Sequence, residues 1–545
     1  MSEISKTQDR RPKTNNRYIW GFFIALVVFT YFFGLTIPLV GPDEPRYAQV
    51  AREMFLRHDW ITPTLGGFDW FEKPALLYWL QIIAYKIFGV SEFSARVGSA
   101  IFGLGTVASL WILGKYGVEN EKRGENDFAK WLALVAATSI GIIVFSRGAS
   151  FDIILTFPMT AALVGFFIFD SSIRKSKVAE NPVATAPGSD KNPPAHAGGS
   201  DRRRISVSLF AFYFFTGVAL IAKGLIGIIF PFAIVAFYYV LSFRFPSRTF
   251  LLSLIWGIPL ILLVASTWYW PMYETNGYKF IDEFIIQHHF QRFTSNKYQH
   301  PQPFFFFFWV LPLMTIPWLP FFFAGIWNFV KNIFNRRDAE TPNDGREISF
   351  LSRFLAFSPS PLLVFAFSWL LVPLVFFSFS GSKLPGYILP AVPAAIFFAA
   401  DSVYRFIRNE ARKRLMFALA GGTLIVVVIL LQFFVTGFAN ADSVKPLIAA
   451  ADVRGYSTER VLGLHTVSHN AEFYAAGRLV RNEDGTQKRF NSVGEIEQEI
   501  KQSNGEPVLV IVPSNRVYEL TQNSVMNTEV IADNTELAIV QVTIR

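Results

Sequence analysis

Apolar residues come in long blocks along the chain, separated by short polar stretches. The clear runs are 17–39, 94–116, 129–146, 150–170, 207–223, 226–242, 250–268, 304–328, 358–380, 386–404 and 415–438. Each comes near the roughly 20 residues an α-helix needs to cross a hydrocarbon core, so the pattern predicts a polytopic α-helical membrane protein with about 11–13 transmembrane helices. A further run, "PALLYWLQIIAYKIFGV" at 74–90, is shorter and carries Lys86. It reads as a re-entrant or interfacial helix. From about residue 440 the period changes. "RVLGLHTV", "PVLVIVP" and "LAIVQVTI" are strand-like, while "AEFYAAG" and "VGEIEQEIKQ" between them read as helices. The chain thus divides into a transmembrane domain, 1–440, whose outer loop is 40–93, and a small soluble α/β domain, 441–545.

Composition agrees with the pattern. Only 17% of the residues are charged, where a soluble chain carries about a quarter. The net charge of +9 would fit a nucleic-acid partner, but the Lys and Arg collect in short loops between apolar runs, so no nucleic acid is expected. There is no Cys, which excludes disulfides and Cys-based metal sites. The first run is too long for a signal h-region and no small-x-small site follows it, so it is read as a retained span. Residues 178–200 are rich in Pro, Ala, Gly and Ser and are expected to form a disordered loop.

Basic residues set the expected sidedness. They precede the first run (Arg10, Arg11, Lys13, Arg17) and fill the loops around 174–204, 244–248, 331–337 and 405–414. Placing all of these inside puts the N-terminus in the cytoplasm and the C-terminal domain in the periplasm of a bacterial inner membrane. The segment 74–90 then cannot be a full crossing, because every later loop would invert.

That orientation collects Asp43, Glu44, Arg46, Glu72, Lys73, Arg147, Asp152, Lys223, His288, His289, Arg292, His300, Lys383 and Tyr387 on the outer side. Ionisable groups near membrane depth are costly and mark function. Plainer roles exist for some: Arg147, Lys223 and Lys383 as snorkelling side chains, His300 as a loop residue, Asp43 as an N-cap with Glu44 favouring the helix dipole. "FEKP", with Glu72 and Lys73 between "FDWF" and a proline, and "QHHFQRF", with Arg292 near two imidazoles, are harder to read that way. Lys and Arg would hold a phosphate, and the carboxylates would serve as base or metal ligand. Nucleotides are not expected outside the cytoplasm, so a transferase there needs a donor already in the membrane, such as a polyprenyl-phosphate-linked sugar. A lipid-linked sugar transporter is the alternative from another class. Its polar groups would sit at midplane on broken helices.

The stretch "DEPRYAQVAREMFLRHDWITPTLGGFDWFEKPALLYWLQIIAYKIFG", with "VGSAIFGLGTV", "SFDIILTF", "LIAKGLIG", "HFQRFTSNKYQHPQPFFFF" and "SGSKLPGYILP", resembles the lipid A aminoarabinose transferase family. That family groups with the dolichyl-phosphate-mannose protein mannosyltransferases in the membrane GT-C fold. The resemblance covers roughly residues 15 to 440. It implies a glycosyltransferase moving a sugar from undecaprenyl phosphate to lipid A or a similar lipid or glycan acceptor, as a monomer. A protein or polysaccharide mannosyltransferase is the alternative within the class. By position, the resemblance makes Asp43, Glu72 and Lys73 catalytic and Lys73 and Arg292 ligands of the donor phosphate. Glu44, Arg46, Arg147, Asp152, Lys223, Lys383 and Tyr387 would line the substrate site. Glu72 and His289 would hold a divalent metal (zinc, magnesium or manganese). Pro45 and His288 depart from the family pattern.

Overall fold

A computed structural model of the chain describes residues 17–117, 125–180, 198–291, 301–335 and 360–545. Seven helices among them are long and apolar enough to cross a membrane: Glu92–Tyr116, Phe151–Lys175, Arg203–Lys223, Arg248–His288, Pro361–Ser378, Pro385–Phe406 and Glu410–Asp442. Three apolar helices are shorter: Arg17–Phe32, Leu76–Phe88 and Ile226–Leu241. Two predicted runs are not single helices. The run 129–146 breaks at Ser139, whose backbone is extended (φ −75°, ψ 127°). The run 304–328 is split into Phe306–Leu313 and Leu319–Asn335. Hydropathy registers an apolar residue whether or not its backbone is helical, so such breaks do not show in it. The 74–90 segment forms a helix of 13 residues, Leu76–Phe88. At 1.5 Å per residue that is about 20 Å, short of a hydrocarbon core of about 30 Å.

The chain separates into two compact units. The first comprises 1–31, 100–146 and 151–425, and the second 32–99, 147–150 and 426–545. In the first, Phe151–Glu180 packs on Gly198–Lys223, which also packs on Arg248–Phe280. Small residues permit these crossings. A Cβ on Gly165 would meet the Ser208 carbonyl at 2.8 Å, the close approach that membrane helix pairs use in place of a hydrophobic driving force.

The second unit holds the loop after the first helix and the C-terminal domain. Helix Asp43–Leu56 is followed by a hairpin, β1 (Thr64–Leu65) and β2 (Phe68–Asp69), then by Leu76–Phe88. Gly66 and Gly67 form the two-residue turn with φ +63° and +82°, the left-handed pair such a hairpin requires. The C-terminal domain is a five-stranded sheet of β3 (Arg460–Leu464), β4 (Arg489–Phe490), β5 (Val508–Pro513), β6 (Met526–Asp533) and β7 (Leu537–Ile544), in the order β4-β3-β5-β7-β6. β3 is parallel to both neighbours, and β7 is antiparallel to β5 and β6. One face of the sheet buries Ile496 and Ile500 of Val493–Gln502 against Leu462, Val508 and Val510. The other buries Leu447 and Ile448 of Lys445–Val453 against Val461, Leu509 and Ile511. Alternating side chains of the same strands fill both cores, as a sheet covered on both faces requires.

Candidate functional site

Four of the sequence-predicted residues gather around two tyrosines in the second unit. Helix Asp43–Leu56 begins at Asp43 itself: the preceding Pro42 is already helical and the helix has no side-chain cap. The N-cap reading of Asp43 is therefore corrected. Its carboxylate is half exposed and accepts from Arg46 Nη2 at 2.7 Å. Arg46 also donates from Nε to the Pro42 carbonyl and lies 5.7 Å from the Trp70 ring centre. Lys73 donates to Glu72 Oε1 at 2.5 Å, both side chains being largely buried. Tyr47 and Tyr78 meet edge to face at 6.4 Å. Burial pushes both phenols well above their usual range, and the charges of Glu72 and Asp43 push them further, against the opposing effect of Arg46. Asp43, Arg46 and Glu72 thus all act on the same buried pair of phenols.

Two carboxylates hold this cluster in place, and only one of them was singled out by the sequence. Glu44 accepts from Arg96 Nε at 3.0 Å and Nη2 at 2.7 Å, from the Ala149 N–H at 2.7 Å and from the Val40 N–H at 3.1 Å. Burial raises its carboxyl, but Arg96 and the two N–H groups outweigh that and hold it below the usual range. Arg96, only 4% exposed, also donates to the carbonyls of Leu35, Ile37 and Pro38. Glu53 accepts from Thr64 Oγ1 at 2.7 Å and from the Gly66 and Gly67 N–H groups at 2.6 and 3.2 Å, which ties the hairpin to the helix. Sequence reading missed both Arg96 and Glu53. Arg96 had a signal, an arginine inside an apolar run. Arg147 donates from Nη2 to the Phe33 carbonyl.

In the first unit, Asp152, in the first turn of Phe151–Glu180, pairs with Lys223 at the last turn of Gly198–Lys223. The Lys223 ammonium lies 5.2 Å from the Tyr387 ring centre. Gly386 sits where any Cβ would collide with the Asp152 carboxylate, so "KLPGY" needs its glycine for this approach. Lys383 is buried and donates to the carbonyls of Ser380 and Gln302 at 2.7 and 3.0 Å, fastening one loop to another. Arg292, His300 and the side chain of His289 lie outside the described residues. Among the described residues no three His, Asp or Glu side chains come together as metal ligands; of the two residues expected to hold a metal, Glu72 is paired with Lys73 and the side chain of His289 lies outside the described residues.

The dolichyl-phosphate-mannose-protein mannosyltransferase family model matches residues 17–184. The chain is 25% identical over 437 residues to the undecaprenyl phosphate-alpha-4-amino-4-deoxy-L-arabinose arabinosyl transferase of Wigglesworthia glossinidia brevipalpis, covering 78% of this chain and 67% of that one. It is 28% identical over 394 residues to the protein of the same name from Serratia proteamaculans, covering 70% and 59%. The chain therefore spans about three fifths to two thirds of the length of these curated relatives. The crystal structure of ArnT from Cupriavidus metallidurans bound to undecaprenyl phosphate superposes with a TM-score of 0.69 at 20% identity, covering 96% of this chain and 97% of that one. The apo structure of the same protein gives 0.65. The resemblance read from the sequence is borne out: the chain is similar to the undecaprenyl phosphate-aminoarabinose transferases and has the GT-C fold of membrane glycosyltransferases.

Proposed function

We propose that this protein is an integral membrane glycosyltransferase that moves an aminoarabinose-like sugar from a polyprenyl-phosphate donor to lipid A or a similar outer-leaflet acceptor. The observation that carries the reading is the charged cluster of Asp43, Arg46, Glu72 and Lys73 around Tyr47 and Tyr78, on a segment matched by the mannosyltransferase family model. In the reaction the lipid phosphate is the leaving group. Lys73, held in a largely buried ion pair, is pre-oriented to stabilise the charge that develops on it, and Arg292 supplies the second cation. Fixed charges in a water-poor site commonly make the largest contribution to catalysis. Asp43 orients the acceptor or takes its proton; a phosphate acceptor needs no base. The anomeric carbon inverts in a single displacement. Glu44 and Lys383, whose polar atoms are engaged within the protein, act as positioning residues. No step is routed through a metal.

The orientation proposed is a cytoplasmic N-terminus and a periplasmic C-terminal domain, which puts the 40–93 loop beside outer-leaflet substrates. The match to the mannosyltransferase model favours mannose as the alternative sugar. Mass spectrometry of lipid A from cells with and without the protein decides. An aminopentose mass increment that depends on the protein and on Lys73 is expected. Unchanged lipid A, with a hexose appearing on another acceptor, selects the mannosyl reading, and no glycan change of any kind rejects the transferase.

A further inference from the structure

Glu410–Asp442 is the most apolar and the least buried of the seven long helices. Yet Gln432, Thr436 and Asn440 recur along it at every fourth residue, a spacing that sets them on one face. Phe433, Phe434 and Phe438, elsewhere on the same turns, are 67–70% exposed. The backbone runs as a π-helix over Leu430–Val435, a distortion often found at functional sites. Amide side chains on a lipid-exposed helix are costly and mark a site by default.

The stripe faces a cavity of about 640 Å³, within the size range of small-ligand sites. Its opposite wall is the chain just after the first apolar helix, with Phe33, Ile37 and Pro38 giving an apolar side. Its charged lining residue is Lys445, in the first turn of Lys445–Val453. The Lys445 ammonium is half exposed and lies 2.6 Å from Glu92 Oε1. Among the described residues no carboxylate lines the cavity. Its depth follows from length. Glu410–Asp442 has 33 residues, about 50 Å, which exceeds the hydrocarbon core. Arg412, Lys413 and Arg414 lie at its start, so residues 432–440 sit at the other interface, the level of phosphate head groups.

We propose that this cavity binds the phosphate-bearing head group of an anionic phospholipid. Lys445 pairs with the phosphate, the amides of Gln432 and Asn440 donate to its oxygens, and the first acyl carbons lie on Phe33 and Ile37. The assignment does not rest on the transferase reading. It is tested by native mass spectrometry of the full-length protein in detergent, titrated separately with phosphatidylglycerol, phosphatidylcholine, undecaprenyl phosphate and inorganic phosphate. Phosphatidylglycerol should be retained in preference to the other three. Loss of a charge-assisted bond should weaken it about tenfold in Lys445→Ala. Gln432→Leu, a substitution a lipid-facing helix tolerates, should weaken it as well. Glu92→Gln removes the same ion pair but frees the ammonium, so it should bind at least as well as wild type. That separates loss of the lipid contact from loss of local structure. Equal retention of phosphatidylglycerol by wild type and both weakening variants overturns the proposal. So does equal retention of phosphatidylcholine, a preference for undecaprenyl phosphate, or binding of inorganic phosphate without lipid.

Discussion

At the residue scale, Asp43 and Glu44 are neighbours with opposite fates. Asp43 is 51% exposed in its side chain and paired with Arg46, whereas Glu44 is 12% exposed and clamped by Arg96. Asp43→Asn keeps an oxygen for Arg46 and removes the charge. It should express, remain monodisperse in detergent and lose transfer to a lipid acceptor; wild-type activity would show that the charge has no part in the reaction. Lys73→Ala should lower the transfer rate about a hundredfold, the equivalent of about 3 kcal/mol of transition-state stabilisation. Lys73→Arg should be poor too, because a planar fork does not replace a compact ammonium. Single-turnover assays with a polyprenyl-phosphate donor read both. Activity within a few-fold of wild type in Lys73→Ala would place the phosphate elsewhere.

At the scale of elements, the Glu44–Arg96 pair joins the helix Asp43–Leu56 to the start of Glu92–Tyr116 and to the 35–38 backbone. Removing one partner of a buried pair leaves the other charge uncompensated, at about 3–5 kcal/mol. Arg96→Met should therefore lower the thermal midpoint in detergent far more than Arg46→Met, whose ion pair is exposed. Equal shifts would deny Arg96 this structural role. The pair also sets a pH dependence. Glu44 has a folded pKa below its ordinary 4.5, so its contribution is present above that ordinary value and is lost as pH falls through the folded one. Wild type should lose stability on acidification below about pH 4.5, and Glu44→Gln, less stable at neutral pH, should show a shallower acid limb. Parallel acid limbs in melting curves would contradict this.

At the scale of the whole molecule, the proposed orientation puts 171–206 in the cytoplasm. The absence of native Cys makes single-Cys labelling clean. A Cys placed at Ser189 should be protected from an impermeant reagent in intact spheroplasts and react after lysis, while one at Ser503, in the C-terminal domain, should react in both. Labelling of the Ser189 position in intact spheroplasts would invert the topology.

The apolar blocks determined the membrane class, because repeated runs of about 20 apolar residues with few charges match the thickness of a hydrocarbon core. The change of period near 440 determined the α/β domain, whose strand-like segments became β3, β5 and β7. Glu72 and Lys73 were legible as adjacent opposite charges, but that they pair with each other came from the structure. Tertiary structure alone decided the rest. Arg96 reaches Glu44 across 52 positions and Lys223 reaches Asp152 across 71, distances over which local pattern carries no information. The breaks at Ser139 and between Leu313 and Leu319 are likewise invisible to hydropathy. The polar stripe of Gln432, Thr436 and Asn440 stood in the sequence from the start. It gained meaning only when folding set the 33–38 segment and Lys445 around it, because a polar side chain marks a site only where the fold leaves room beside it for a ligand.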